Sequence, residues 1–151
     1  MRIEVDDLCR PRVRALLTEH LADMHATSPA ESVHALDLSG LRGSDVSVWT
    51  AWKAEELLGI AALKELSPAH GELKSMRTSA AARGHGVASS VLVHVLDDAR
   101  RRGYRRVSLE TGTQDYFAAA RRLYVRHGFV ECPPFGDYVL DPSSTFFSLS
   151  L

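Results

Sequence analysis

Apolar residues recur at helical spacing in three segments of the chain, and each segment carries residues that start or stop a helix. Pro11 suits a first helical turn, and the face that follows it comprises Val13, Leu16, Leu17, His20, Leu21 and Met24. The most regular stripe ends in three arginines and then Gly103, and it comprises Ala88, Val91, Leu92, Val95, Leu96 and Ala99. A third helix is predicted over residues 117–127, because Gly128 follows it.

Short apolar or β-rich runs lie between these helices and are predicted as strands. The runs at 46–53 and 57–66 flank a Glu55-Glu56 turn, which indicates an antiparallel hairpin. The other predicted strands cover residues 2–5, 72–78, 106–110, 129–131 and 146–151. Between residues 28 and 42 the pattern loosens around Pro29 and Gly40, which indicates a short second helix or a lid-like loop. The fold class is therefore α/β (α+β), a mixed sheet flanked by helices.

Length and composition narrow the possibilities further. A chain of 151 residues, 45% of them hydrophobic, is expected to form one domain over residues 1–151. The 18 basic residues nearly match the 19 acidic ones, so no overall field favours nucleic acid or an anionic membrane. The N-terminus lacks the pattern of a signal peptide, and runs such as 57–63 are too short to span a bilayer. We therefore expect a cytoplasmic protein.

Cysteine and histidine positions favour neither a disulfide framework nor a metal site. Only Cys9 and Cys132 are present, and neither has a histidine base adjacent in sequence, so a nucleophilic cysteine is not predicted. The chain has seven histidines, but His20, His25 and His34 are not spaced as metal ligands. No metal is expected.

A glycine-containing turn precedes the most regular helix. It reads Ala82-Arg83-Gly84-His85-Gly86-Val87-Ala88 and follows a predicted strand, so its amides include the unpaired donors of a helix N-terminus. Gly84 and Gly86 would let a diphosphate approach the main chain, although glycines there could serve only a tight turn. Neither the P-loop nor the dinucleotide-binding pattern fits this spacing. The turn is therefore a candidate cradle for the phosphates of another carrier.

Two motifs in order give the chain a family resemblance. Arg83-Gly84-His85-Gly86-Val87-Ala88 resembles the Arg/Gln-x-x-Gly-x-Gly/Ala motif of the GCN5-related N-acetyltransferases (GNAT). About forty residues later, the segment 120–129, with Leu123-Tyr124 before Gly128-Phe129, is similar to that family's second signature. The resemblance extends over nearly the whole chain, and the segments 28–36, 72–77 and 132–138 are similar to a bacterial subgroup of uncharacterised acetyltransferases.

The resemblance implies a fold, a reaction and a donor. The fold would be a mixed, mostly antiparallel sheet of six to seven strands with about four helices. The reaction would be acetyl transfer from acetyl-CoA, as co-substrate, to the primary amine of a small molecule or peptide. Residues matching the donor site are Met76, Arg77 and Thr78 for the thioester and pantetheine, and Arg83, Gly84, His85, Gly86, Val87, Ala88 and Ser89 for the phosphates.

The resemblance also implies two catalytic residues. Tyr124 matches the tyrosine that protonates the departing thiolate, although a core or ring-stacking role is the alternative. Glu72 matches a strand glutamate that deprotonates the amine, with His70 or water in reserve. A strand carboxylate merely paired with neighbours of Lys74 is the other interpretation of Glu72.

One position departs from the family pattern. Many members carry an Asn that binds pantetheine seven residues before the helix tyrosine, and this chain has Phe117 there. Gln114 or Asp115 could substitute. By the same resemblance, the acceptor cleft would be formed by His25, Ser28, Glu31 and His34 on one side and by Phe135 and Tyr138 on the other. Each of these is open to a second interpretation as an ordinary loop group or hydrophobic cap.

Several alternatives stay open at the level of sequence. A non-catalytic module that binds CoA for regulation would carry the same motifs. The arginine-rich run at 100–106 could bind nucleic acid, although a helix C-terminus with an exposed turn explains it better. The strand at 146–151 could pair at an exposed edge between subunits of a homodimer. The amine could belong to an antibiotic, an amino acid, a polyamine or a protein N-terminus.

Overall fold

The computed structural model describes all 151 residues. The four helices are α1 (Pro11–Thr27), α2 (Leu38–Leu41), α3 (Val87–Arg101) and α4 (Ala118–Arg126). The seven strands are β1 (Arg2–Val5), β2 (Val46–Lys53), β3 (Glu56–Ser67), β4 (His70–Thr78), β5 (Arg106–Gly112), β6 (Val130–Glu131) and β7 (Ser144–Ser150). The prediction of a mixed sheet with helices on its faces is confirmed.

The helices follow the predicted stripes, with differences at their ends. All six predicted apolar positions of α3 lie on it, and Val91, Leu92, Val95, Leu96 and Ala99 are buried. The helix predicted from Phe117 begins at Ala118, because a 3-10 turn over Asp115–Phe117 precedes it. The loose segment contains a 3-10 turn at Ala30–Ser32 and the four-residue α2, so the expected short helix is present.

The strands form one sheet in the order β1-β2-β3-β4-β5-β7-β6. Every neighbouring pair is antiparallel except β4 and β5, which are parallel. The edges are therefore β1 and the two-residue β6. The expectation that the last strand offers an exposed edge is wrong, because β7 is hydrogen-bonded between β5 and β6. Phe129, predicted within a strand, precedes β6 and is buried in the core.

Two irregularities in β4 open a gap in the sheet. Ile60 pairs with Arg77 and Ala62 with Lys74, so Ser75 and Met76 together face a single residue of β3. This is a β-bulge, and Ser75 adopts a φ of 54°, a conformation that a side chain makes costly. On its other side, β4 pairs with β5 only from His70 to Glu72, and beyond that point the strands separate.

Each face of the sheet carries its own hydrophobic cluster. One cluster packs α3 and α4 against residues such as Trp49, Leu63 and Leu109. The other packs α1 and α2 against residues such as Trp52 and Ile60. Because both faces are covered by helices, the gap between β4 and β5 is a place where a ligand could pass through the sheet.

Three of the five arginines in the run at 100–106 are paired with aspartates of α3. Arg100 is paired with Asp97, and both Arg101 and Arg102 are paired with Asp98. These contacts fit the helix-terminus interpretation of the run. No helix of the chain combines the length and the apolar character needed to span a membrane.

Candidate functional site

A cavity of about 570 Å³ lies where β4 and β5 separate. At one end, here named the cradle end, it is lined by α4 and by the turn and first helical residues at 83, 84 and 86–89. At the other end, the loop end, it is lined by α1, by the loop between α1 and α2, and by Ser143 from the loop between β6 and β7. Its volume falls in the range typical of small-molecule sites.

The cradle end presents a row of free amides. None of the N–H groups of residues 84–89 donates a hydrogen bond to any protein acceptor, and no side chain caps α3. Gly84 and Gly86 both have φ of 78°, in the left-handed region that glycine adopts at no steric cost. Open space surrounds the position that a Cβ would take at either glycine. The turn is therefore shaped to present its amides and the helix dipole to an anion.

Side chains around the cradle add positive charge. Arg83, Arg122 and Arg126 line the cavity there. Ser89 also lines it, and its hydroxyl lies 2.7 Å from His127 Nε2, which joins the first turn of α3 to the end of α4. His85, one of the expected ligands, does not line the cavity, and its Nδ1 lies 3.2 Å from the carbonyl oxygen of Ala82.

The bulged part of β4 forms the floor of the cavity. Ser75, Met76, Arg77 and Thr78 all line it, as the sequence led us to expect for the last three. A bulge leaves one residue outside the ladder, so its main-chain groups are available to a ligand. The bulge thus brings backbone groups to the middle of the cavity, between its two ends.

Arg77 holds the walls of the cavity together through its side chain. Its guanidinium donates to Glu19 at 2.7 Å and Asp23 at 2.5 Å on α1, and to the Tyr116 hydroxyl at 3.0 Å. The Tyr116 hydroxyl also donates to Asp23 at 3.2 Å. Only 5% of the Arg77 side chain is exposed, and its pKa is raised by hydrogen bonds to these carboxylates, which outweigh its burial. Sequence indicated only main-chain contacts for this residue.

His20 lies next to Arg77 on the wall formed by α1. Burial lowers the pKa of His20 from its ordinary value to about 4, and the positive charge of Arg77 acts in the same direction. The imidazole is therefore neutral at neutral pH. Its Nδ1 is enclosed and has no hydrogen-bond partner.

Tyr124 reaches the cavity from α4. The residue is 5% exposed, its ring packs near Phe129 and Phe147, and its hydroxyl makes no hydrogen bond within the protein. Burial and then the negative charge of Glu110 raise the pKa of Tyr124 well above its ordinary value. The hydroxyl therefore keeps its proton at neutral pH and is able to donate it.

Glu72 is buried, and one of its two carboxylate oxygens is hydrogen-bonded. Its Oε2 accepts hydrogen bonds from Lys74 Nζ at 3.1 Å and from the Tyr138 hydroxyl at 2.5 Å. Lys74 Nζ also donates to that hydroxyl at 3.0 Å, which closes a triangle of three side chains. The second interpretation was a half-exposed carboxylate paired with neighbours of Lys74, whereas Glu72 is buried and is paired with Lys74 itself. It lines the cavity, but its charge is matched by Lys74.

Glu110 is a cavity-lining carboxylate that the sequence did not single out. It lies on β5 beyond the last residue paired with β4 and forms no ion pair, although the Ser144 hydroxyl and the charge of Lys74 lower its pKa against the effect of burial. Burial raises its pKa above the ordinary value for a glutamate. The alternation of buried Val107 and Leu109 with Ser108 and Glu110 is a signal that could have placed it on the cavity side of its strand.

The reserve base and the expected replacements for the missing Asn lie elsewhere. His70 does not line the cavity, and its Nε2 lies 2.7 Å from the hydroxyl of Ser108. Gln114 and Asp115 do not line it either, and Gln114 Oε1 is enclosed next to Gly112. Phe117 does line it, with its ring packed against Gly112. The group that reaches the cavity with a hydroxyl from this segment is Tyr116.

The expected acceptor residues divide into two groups. Ser28 and His34 line the loop end, whereas His25 and Glu31 do not. Phe135 and Tyr138 also do not line the cavity, and they stack with Phe146 in an aromatic layer behind it. His34 packs edge-on against Tyr138, with ring centroids 5.0 Å apart.

Neither cysteine of the chain is among the residues that line the cavity. The structure contains no group of three His, Cys, Asp or Glu side chains placed to hold a metal ion. Cys9 and Cys132 are both free, and burial raises the pKa of Cys132. What the cavity combines is an anion cradle, a bulged strand, a proton-holding tyrosine and an unpaired carboxylate.

Comparisons with known proteins agree with this combination. The model of the acetyltransferase (GNAT) family matches residues 13–129. The chain is 50% identical over all 151 residues to the uncharacterized N-acetyltransferase YsnE of Bacillus subtilis, which it covers completely. It is 52% identical over 149 residues to the uncharacterized N-acetyltransferase YedL of Escherichia coli, covering 99% of this chain and 94% of that protein.

Solved structures show the same fold. A Bacillus subtilis acetyltransferase in complex with CoA superposes with a TM-score of 0.74 at 17% identity, covering 99% of this chain and 98% of the other. The family match, the two full-length relatives and the fold agree. The chain is an acetyltransferase enzyme and belongs to the acetyltransferase (GNAT) family.

Proposed function

We propose that the protein transfers the acetyl group of acetyl-CoA to a primary amine by direct attack within a ternary complex. The observation that carries this proposal is the run of six free amides at residues 84–89, which opens onto the same cavity as Tyr124 and Glu110. A diphosphate held at these amides would leave a pantetheine arm to follow the bulged strand toward the tyrosine. The structural neighbour solved with CoA supports this choice of donor.

The donor site has three parts in this proposal. The amides and the arginines Arg83, Arg122 and Arg126 bind phosphates, through dipole and charge. Main-chain groups of Met76, Arg77 and Thr78 hold the arm and the thioester carbonyl. An amide fixed at that carbonyl stabilises the negative charge that develops on its oxygen during acyl transfer.

Glu110 is the base in this proposal, in preference to Glu72. An ammonium has no lone pair, so it must lose a proton before its nitrogen attacks the carbonyl carbon. Glu72 already accepts two hydrogen bonds on one oxygen and is neutralised by Lys74. Glu110 forms no ion pair, and burial raises its pKa toward the range that suits proton transfer near neutral pH.

Tyr124 is the acid. As the tetrahedral intermediate collapses, the carbon–sulfur bond breaks and its electron pair goes to sulfur, which takes the tyrosine's proton. The nitrogen gives up its second proton as the amide forms, and that proton restores the tyrosine. The net products are the acetylated amine, the free thiol and one proton released to solvent from Glu110.

The proposal is tested by measuring donor binding and thiol release on the same preparation. Isothermal titration with acetyl-CoA should show saturable binding, and a panel of amines should then produce free thiol and acetylated product in equal amounts. Binding without thiol release from any amine would instead indicate the CoA-binding regulatory module. Absence of binding would contradict both functions.

A further inference from the structure

Two loops that are far apart in sequence contact each other at the loop end of the cavity. One loop, residues 28–37, joins α1 to α2, and the other, residues 132–143, joins β6 to β7. The Ser32 hydroxyl donates to Asp141 Oδ2 at 2.6 Å across these loops. Ser32 is only 7% exposed, so this link is enclosed by its surroundings.

A second link lies beside the first. His34 packs edge-on against Tyr138, and the Tyr138 hydroxyl is bonded to Glu72 and Lys74 on β4. The 132–143 loop is therefore tied both to the opposite loop and to the floor of the cavity. Asp141 is held in turn by the amide of Ser143, which itself lines the cavity.

These links restrict how an acceptor can approach. A lysine inside a polypeptide reaches a buried thioester only if the chain on both sides of it can lie in a groove open at both ends. Ser32, His34 and Ser143 line the cavity. The two loops that carry them are joined by the Ser32–Asp141 hydrogen bond and by the contact between the rings of His34 and Tyr138. An acceptor can therefore enter only with its amine leading and the rest of the molecule behind it.

The groups at the loop end also suit a compact amine. Met24, Val33 and Ala35 supply apolar wall, and Glu110 supplies a carboxylate without an ion-pair partner. The charges of Glu72 and Lys74 cancel each other. An ammonium is therefore attracted to a carboxylate that has no ion-pair partner, in a chamber of mixed polar and apolar lining.

We propose that the acceptor is a compact small-molecule amine that enters end-on, and that lysines within a polypeptide are excluded by the Ser32–Asp141 and His34–Tyr138 links. This inference rests on the proposed acetyltransferase function and names its acceptor class. It makes Ser32 a positioning residue, which acts on the acceptor through the loop it holds.

The test compares two kinds of acceptor at matched amine concentration. The first is a set of free small amines, namely spermidine, tryptamine, glucosamine and several amino acids. The second is a peptide with a blocked N-terminus and one internal lysine. We expect thiol release with at least one small amine and a rate at least about 100-fold lower with the peptide, the size of discrimination that steric or unpaired-group exclusion gives. Comparable rates with the two kinds would overturn the proposal.

Two serine variants test whether the Ser32–Asp141 hydrogen bond affects acceptor binding. Ser32→Ala removes the donor to Asp141, and we expect the KM of the best small amine to rise about 5-fold, in line with the loss of one hydrogen bond, while the KM for acetyl-CoA stays unchanged. Ser39→Ala is the control, because Ser39 is exposed on α2 and its hydroxyl makes no hydrogen bond. An unchanged acceptor KM in Ser32→Ala would count against the proposal.

A second measurement tests the contact between the two loops even if no amine is acetylated. If acetyl-CoA binds but no amine reacts, the function fails, and the closure is then judged by amide hydrogen exchange. Exchange in residues 28–37 and 138–143 should rise in Ser32→Ala and not in Ser39→Ala. Equal exchange in the two variants would show that the link does not close the loop end.

Discussion

The two ends of the cavity are built in different ways. The cradle end consists of main-chain amides presented by a turn whose shape depends on two glycines with positive φ. The loop end consists of side chains held by hydrogen bonds between segments up to 109 residues apart. Backbone amides can bind a diphosphate in many different proteins, because every residue has the same main chain. The side chains of loops, in contrast, differ from protein to protein. The identity of the acetyl donor is therefore easier to infer than the identity of the acceptor amine.

The largest effect is expected from the unpaired carboxylate. Glu110→Gln keeps the shape and removes the base, so kcat should fall by about 10³-fold while acetyl-CoA binds as before. The base must be ionised to act, so kcat/KM should rise with pH. Because burial raises the pKa of Glu110, the apparent pKa of this rising limb should be higher than the ordinary pKa of a glutamate. This limb should be absent in the variant.

Glu72→Gln is the matched control for that prediction. It removes a charge from the triangle with Lys74 and Tyr138, so it should lower stability and acceptor affinity and retain the pH limb. Loss of the limb in Glu72→Gln, with its retention in Glu110→Gln, would restore Glu72 as the base.

His20 makes the wall of the loop end sensitive to acid. Burial lowers its pKa from the ordinary value of 6.5 to about 4 in the folded protein, so as pH falls the unfolded chain takes up the proton first. The free energy of unfolding should therefore fall between pH 6.5 and pH 4, by about 3 kcal/mol at the lower limit, with no contribution from this group above pH 6.5.

Urea unfolding at a series of pH values measures this loss. His20→Gln cannot titrate, so its stability should change less with pH over the same interval. Parallel curves for the two proteins would show that the histidine is not the cause.

Substitution of Tyr124 tests its proposed role as the acid. Tyr124→Phe removes a hydroxyl that has no partner in the protein, so the fold should be unaffected and kcat should fall by about 10²-fold. The donor Kd should not change. Steady-state kinetics beside calorimetry measures both, and an unchanged kcat would assign the tyrosine to packing alone.

The cradle itself is tested by a pair of glycines on one helix. Gly86 and Gly103 lie at opposite ends of α3 with φ of 78° and 86°, and both have open space around a Cβ. Alanine at either should cost about 1 to 2 kcal/mol of stability through backbone strain. Only Gly86→Ala should also weaken acetyl-CoA binding, by about 10-fold, since it alters the turn that presents the amides. Equal affinities in the two variants would contradict the cradle.

The contrast between local backbone patterns and side chains brought together by the fold also explains what could be predicted from the sequence. Apolar periodicity located α3 and most of the strands, and the glycine spacing located the turn with free amides before α3, because both are local patterns. Glu110, Lys74 and the role of the Arg77 side chain were missed, because they depend on where β4 bulges and separates from β5. Gln114 was proposed as a ligand from its position alone, and the structure encloses its Oε1 beside Gly112.

The central claim is that the amides of residues 84–89 grip the donor's diphosphate. Titration of uniformly nitrogen-15-labelled protein with acetyl-CoA, followed by amide chemical shifts and hydrogen exchange, tests it most directly. We expect large chemical-shift changes and slowed exchange at these six residues, smaller changes near Met76, and none at Gly103. Saturable binding that leaves the amides of residues 84–89 unperturbed, or no binding at all, would contradict it.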